Sequence, residues 1–160
     1  MTERKISQTK EFMQALLTRD VFDRWFLVEA QVVGANTWTV DGHLNHAYFE
    51  GDMSEETTPS GEYACWAVQR PIILQLIRGK RTPLSFRFLM MPPDDFARAE
   101  VESARTGMDR ICRIRFQEGH VFVTSAVSMK EFTLDREPER AWDESLSRFL
   151  AEKELAFEEL

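Results

Sequence analysis

The chain is expected to fold as an α+β protein, with helices packed on an antiparallel sheet. A helix followed by alternating strands occurs twice along it. Two tight turns, at Gly34-Ala35 and at Glu118-Gly119, each join a pair of strand-like runs. Size and composition agree: 160 residues, 43% hydrophobic and 29% charged, are those of one globular domain. A chain of this length buries roughly 70% of the surface its unfolded form exposes, enough for a core without staples.

The first element is a helix from about Ser7 to Thr18. Ser7 or Thr9 can cap its free N–H groups, and Phe12, Met13, Leu16 and Leu17 form its apolar stripe. Phe22 to Val33 reads as a strand with Phe22, Phe26, Val28, Ala30 and Val32 on one face and Asp23, Glu29 and Gln31 on the other. Gly34-Ala35 suits a two-residue turn whose first position takes a positive φ. The chain then returns through Asn36 to Asp41, and beyond Gly42 the strand pattern continues through His43, Leu44 and Tyr48. Residues 50–61 are polar and rich in breakers, which predicts a mobile loop.

The second half opens with a short apolar piece, Tyr63 to Trp66. A helix follows near Gln69 to Arg78, with Pro71 in its first turn and Gly79 at its C-terminal cap. Ser85 to Met91 is a strand stopped by Pro92-Pro93, after which Asp94 or Asp95 caps a helix reaching about Arg105. Ile111–Phe116 and His120–Val127 form the second hairpin, and Met129 to Leu134 reads as one more strand. A C-terminal helix over 137–155 places Trp142, Leu146, Phe149 and Leu150 on one stripe.

One domain spanning 1–160 is expected, built from half-units 1–50 and 62–135. A shift of 61 positions lays Met13-Gln14-Ala15-Leu16 on Leu74-Gln75-Leu76-Ile77, Arg19 on Lys80, Trp25 on Phe86 and Leu27 on Phe88, a faint echo between the halves.

Charge and cysteine usage bound the function. The net charge of −7 gives no bulk attraction to nucleic acid. Cys65 and Cys112 are far apart in sequence and read as free thiols. The chain lacks the ~20-residue apolar run of a membrane span. Its first residues carry no apolar secretion signal, so the cytoplasm is the expected location.

Two clusters could carry chemistry. Asp41, His43 and His46, within Asp41-Gly42-His43-Leu44-Asn45-His46, are the metal candidates. Zinc needs three or four convergent ligands, and the alternative is a set of surface or hydrogen-bonded histidines. Arg78, Lys80 and Arg81, in Arg78-Gly79-Lys80-Arg81-Thr82-Pro83, form the densest basic cluster, with Arg87 on the following strand. It is not a phosphate-cradling P-loop, because the upstream glycines and the strand-before-loop order are missing. It either stabilises the last carbonyls of a helix or contacts an anion, nucleic acid or acidic partner.

Elsewhere no nucleophile–base pair emerges. Ser125 and Ser128 lack the G-x-S-x-G elbow. His120 lacks an orienting acid, and Glu139, Asp143, Glu144 and Glu152 lie on the polar side of the last helix. Catalytic residues stay unassigned and no cofactor is expected. Trp25, Trp38, Trp66 and Trp142 are expected in the core, and the tail Leu155–Leu160 is expected to dock on its own domain.

The chain resembles a bacterial family of about this length, classed as a domain of unknown function. The resemblance rests on Phe22-Asp-Arg-Trp-Phe-Leu-Val-Glu-Ala30, Thr39-Val-Asp-Gly-His-Leu-Asn45 and Leu76-Ile-Arg-Gly-Lys-Arg-Thr-Pro-Leu-Ser-Phe86. Thr124-Ser125, Phe132-Thr-Leu-Asp135, Trp142-Asp143 and Phe157-Glu-Glu-Leu160 extend it to nearly the whole chain. The family brings no activity or cofactor to carry over. In outline the chain is also similar to sliding DNA clamps, which pair helix-plus-strand units and line their DNA channel with basic helices. Here Lys10 and Arg19 belong to the first helix, and Arg70, Arg78, Lys80 and Arg81 to the second or its end. The Pro92–Arg105 insert and the C-terminal helix depart from that plan. A single unit pair would encircle DNA only as a homo-oligomer.

Two functions follow as expectations. The first is a non-enzymatic binding protein whose basic loop meets nucleic acid or an acidic protein. The alternative is a small metal-dependent or other enzyme using the Asp41–His46 segment.

Overall fold

The computed structural model describes residues 1–51, 61–94, 96, 108–129 and 134–160. In chain order these form β1 (Thr2–Ile6), α1 (Thr9–Leu17), β2 (Phe26–Val33), β3 (Thr37–Asp41), a 3-10 turn (His46–Phe49), β4 (Ala64–Cys65) and α2 (Trp66–Ile77). Then come β5 (Ser85–Met91), β6 (Met108–Gln117), β7 (His120–Met129), α3 (Glu137–Glu152) and β8 (Phe157–Glu159). The expected α+β class is the observed one. The eight strands make one sheet in the order β3-β2-β5-β6-β7-β1-β8, with β4 also pairing β2, and each pairing is antiparallel.

Alternation decides which face is buried. Phe86, Phe88 and Met90 of β5 pair with Phe116, Ile114 and Cys112 of β6, and all six are buried. β7 adds Val121 and Val123 to the same face. α1 covers it with Phe12, Ala15 and Leu16, α2 with Trp66 and Ile73, and α3 with Trp142, Leu146 and Leu150. Aromatic rings fill the space between: Trp25 lies 5.2 Å from Phe22, 5.2 Å from Phe149 and 6.3 Å from Trp142. Two of the buried indole N–H groups donate to carbonyls, Trp66 Nε1 to Leu16 O at 2.9 Å and Trp142 Nε1 to Ile111 O at 3.1 Å. Trp38 departs from expectation: β3 is an edge strand, and its indole is 51% exposed.

Several local expectations are corrected. Phe22 and Asp23 are not strand residues but part of a turn, with Trp25 N donating to Phe22 O. The turn is tied to α2: Arg70 grips the Asp23 carboxylate through Nε (2.8 Å) and Nη2 (3.1 Å), and Ala67 N and Cys65 Sγ both donate to Asp23 O. A bulge between Leu27 and Glu29 then turns Leu27, not Val28, toward the core. The β2–β3 connection has three residues, Gly34 to Asn36, because Val33 pairs with Thr37, and Gly34 does not take a positive φ.

After Gly42 the strand gives way to an isolated bridge, His43 to Tyr63, and to the 3-10 turn that carries Tyr48. α2 begins at Trp66, so Pro71 lies inside the helix, where it leaves one carbonyl of the preceding turn without its N–H. Arg78, in extended conformation, ends that helix, and Gly79 takes no left-handed cap.

β1 and β8 are strands that periodicity did not predict. The tail does dock on its own domain: Ile6 pairs with Phe157, and Leu155 is buried. The helix expected after Asp94 falls, apart from Asp94 and Phe96, outside the described residues, as do 52–60 of the expected loop and 130–133 of the expected strand.

Candidate functional site

α2 runs down to one end of the sheet, where its last turn meets the β2–β3 connection. Leu76, Ile77 and Leu84, with Gly34 and Ala35, line a groove of about 410 Å³ that also takes in Arg78 and Arg81. Leu84 N donates to Val33 O at 2.8 Å, which holds the basic loop against the sheet. Arg78, Lys80 and Arg81 are exposed, and Arg87 is exposed on β5. Among the described residues none of the four makes an ion pair or side-chain hydrogen bond. Other arginines are engaged: Arg70 with Asp23, Arg115 with Glu3 at 3.1 Å, Arg136 with Glu139 and Arg140 with Glu137.

The Asp41–His46 segment separates. Asp41 and His43 come together, with Asp41 Oδ1 accepting from His43 N at 3.0 Å and lying 2.9 Å from His43 Nδ1. The backbone N–H is the larger reason that the Asp41 carboxyl titrates below its ordinary value, and the ring contact adds to it. His43 Nε2 faces Glu62 Oε1 at 3.8 Å, and the ring lies 4.6 Å from Tyr63. His46 stands apart on the 3-10 turn, outside any hydrogen bond or ion pair of this group. No three His, Cys, Asp or Glu side chains converge on a metal position among the described residues.

A third cluster escaped the sequence reading. Arg4 of β1 is fully buried. Its Nε donates to Ser147 Oγ (2.9 Å), its Nη1 to Thr2 O (3.0 Å) and Ser125 Oγ (3.2 Å), and its Nη2 to Asp143 O (2.8 Å). Ser125 Oγ in turn donates to the Asp143 carboxylate. Burial pulls the Arg4 pKa below the ordinary arginine value, against the Asp143 charge. Burial also pushes the Cys112 thiol up to about 12, opposed by Arg4. Such a thiol is a poor nucleophile at neutral pH. Both cysteines are free. An arginine buried on a strand that the hydrophobic pattern did not reveal left no signal in the sequence.

Fold and site thus define an α+β protein that has, among the described residues, one antiparallel sheet, three helices and a cluster of unpaired surface cations. The profile of DUF5721, a family of unknown function, matches residues 15–158, and the chain belongs to that family. Comparison with curated proteins and with solved structures returns no match. No helix among the described residues is long and apolar enough to cross a membrane.

Proposed function

We propose that this is a non-enzymatic, cytoplasmic binding protein whose contact site is the basic loop 78–81 together with Arg87, used in a clamp-like manner on an anionic partner. The observation that carries the reading is that, among the described residues, these four cations make no ion pair in a chain of net charge −7. Folding gains little from cations so placed beyond the weak field of the α2 C-terminus. A phosphate backbone or an acidic protein surface would supply the missing counter-charge.

The salt dependence of DNA affinity tests this. Neutralising Lys80 and Arg81 to Gln should flatten the log–log slope by roughly one unit per lost phosphate contact. Absence of binding to any DNA at low salt rejects the nucleic-acid form.

A second reading, an enzyme built on residues 41–46, is favoured by one observation: Asp41 orients the His43 ring and leaves Nε2 facing Glu62. Such a pair could serve as a base or hold part of a metal shell. Metal analysis of the purified protein decides it. Stoichiometric metal, with a melting temperature lowered by chelator, supports the enzyme, and the absence of both rejects its metal form.

A further inference from the structure

Among the described residues, the sheet face opposite the core contributes none to that core. Strand register lays one row of side chains straight across it: Gln31, Arg87, Arg115, Phe122, Lys5. Arg87 and Arg115 are direct cross-strand partners, and Arg113 is the next residue along β6 on the same face. Like charges placed directly opposite destabilise a sheet. Only Arg115 has an acid, Glu3, while Arg87 and Arg113 are exposed without one among the described residues. Arg115 also rests on the Phe122 ring, 4.8 Å from its centroid. Acids bound the row, Asp41 and Glu29 toward β3 and Glu158 on β8.

We propose that this open face, continuing from the basic loop through Arg87 to Arg113, Arg115, Phe122 and Lys5, binds single-stranded nucleic acid. The inference rests on the binding reading above and specifies its ligand. The cations fall on β5, β6 and β1, with Phe122 of β7 between the last two and neighbouring strands about 4.8 Å apart, so they form a track and not a pocket for one anion. A track suits a repeating polyanion. The Arg115 guanidinium seated on Phe122 offers a flat, cationic stacking surface in the middle of it, which an unpaired base can use. The bases of a duplex are stacked on one another and cannot reach a sheet face in this way. An acidic peptide would meet the charges but leave the stacking surface without a use.

Fluorescence anisotropy with a labelled single-stranded oligonucleotide, a duplex of the same length and polyglutamate as competitor tests the proposal, with folding of every variant checked by circular dichroism. The wild-type protein is expected to bind the single strand at least tenfold more tightly than the duplex, and polyglutamate is expected to compete poorly. Arg87→Gln with Arg113→Gln should weaken single-strand binding and lower the salt slope by roughly 1.4, about 0.7 for each lost phosphate contact. Phe122→Leu should weaken binding roughly fivefold or more at a nearly unchanged slope. If Phe122→Leu does not fold, the double arginine variant alone decides.

Equal affinity for duplex, effective competition by polyglutamate, or unchanged binding in the arginine variant overturns the proposal. If Lys80→Gln with Arg81→Gln abolishes binding while the sheet-face variants bind normally, the loop reading stands and this one falls. If no nucleic acid binds at low salt, both nucleic-acid readings fall together.

Discussion

Gly42 is the residue whose identity the fold constrains most tightly. It is buried where the chain leaves β3 and crosses the bulge of β2. Its N–H donates to Val28 O at 2.9 Å, and its carbonyl accepts from Ala64 N at 2.8 Å. A Cβ there would sit 1.8 Å from Leu27 O, which is backbone and cannot swing aside. Gly42→Ala should therefore cost roughly 3 kcal/mol, the upper range for overpacking a tight site. Urea denaturation would measure it, and a loss below half of that would mean that the bulge relaxes freely. The neighbouring candidate residues were legible as types but not as an arrangement. Asp41 and His43 meet because the backbone N–H of His43 turns back onto the carboxylate, whereas the intervening turn removes His46.

At the scale of elements, the two hairpins contrast. The β6–β7 turn has two residues, Glu118 at φ 52 and Gly119 at φ 79, the pair of positive values that matches the twist of the flanking strands. Glutamate holds a left-handed conformation at some cost, which asparagine lowers. Glu118→Asn is expected to stabilise the protein by about 0.5–1 kcal/mol, read as a rise of roughly 1–4 °C in Tm. A fall in Tm would show that the Glu118 side chain does something more for the turn. Strong period-2 alternation made β5, β6 and β7 legible from their residues, as period-3.6 spacing did for α1 and α3. Alternation persists by chance at 22–25, which are not strand residues. There the grip of Arg70 on Asp23, a contact spanning 47 positions, makes a turn instead.

Across the whole molecule, β1 joins the beginning of the chain to its end. It lies between β7 and β8, while β2, next after α1, lies four places away beside β5. The two halves of the sequence thus share one sheet, and Arg4 fastens that arrangement by linking β1, β7 and α3. Replacing it with Met would keep much of the volume but leave two carbonyls and two hydroxyls without their donor. The expected loss is about 3 kcal/mol, a drop of roughly 6–12 °C in Tm. Arg4→Lys should not restore it, since one ammonium cannot reach four acceptors set around a planar fork. A Tm within 2 °C of wild type for Arg4→Met would refute this role.

The sequence by itself determined the α+β class, the long strands, the amphipathic helices and the inventory of surface cations. These depend on local periodicity and on residue chemistry, which the chain carries wherever it goes. Tertiary structure alone decided that two short terminal segments become β1 and β8, that Arg4 is buried, and that Arg87, Arg113, Arg115 and Lys5 share one open face. Each of those outcomes depends on strand pairing between residues far apart in the chain, and pairing register leaves no mark in either strand alone.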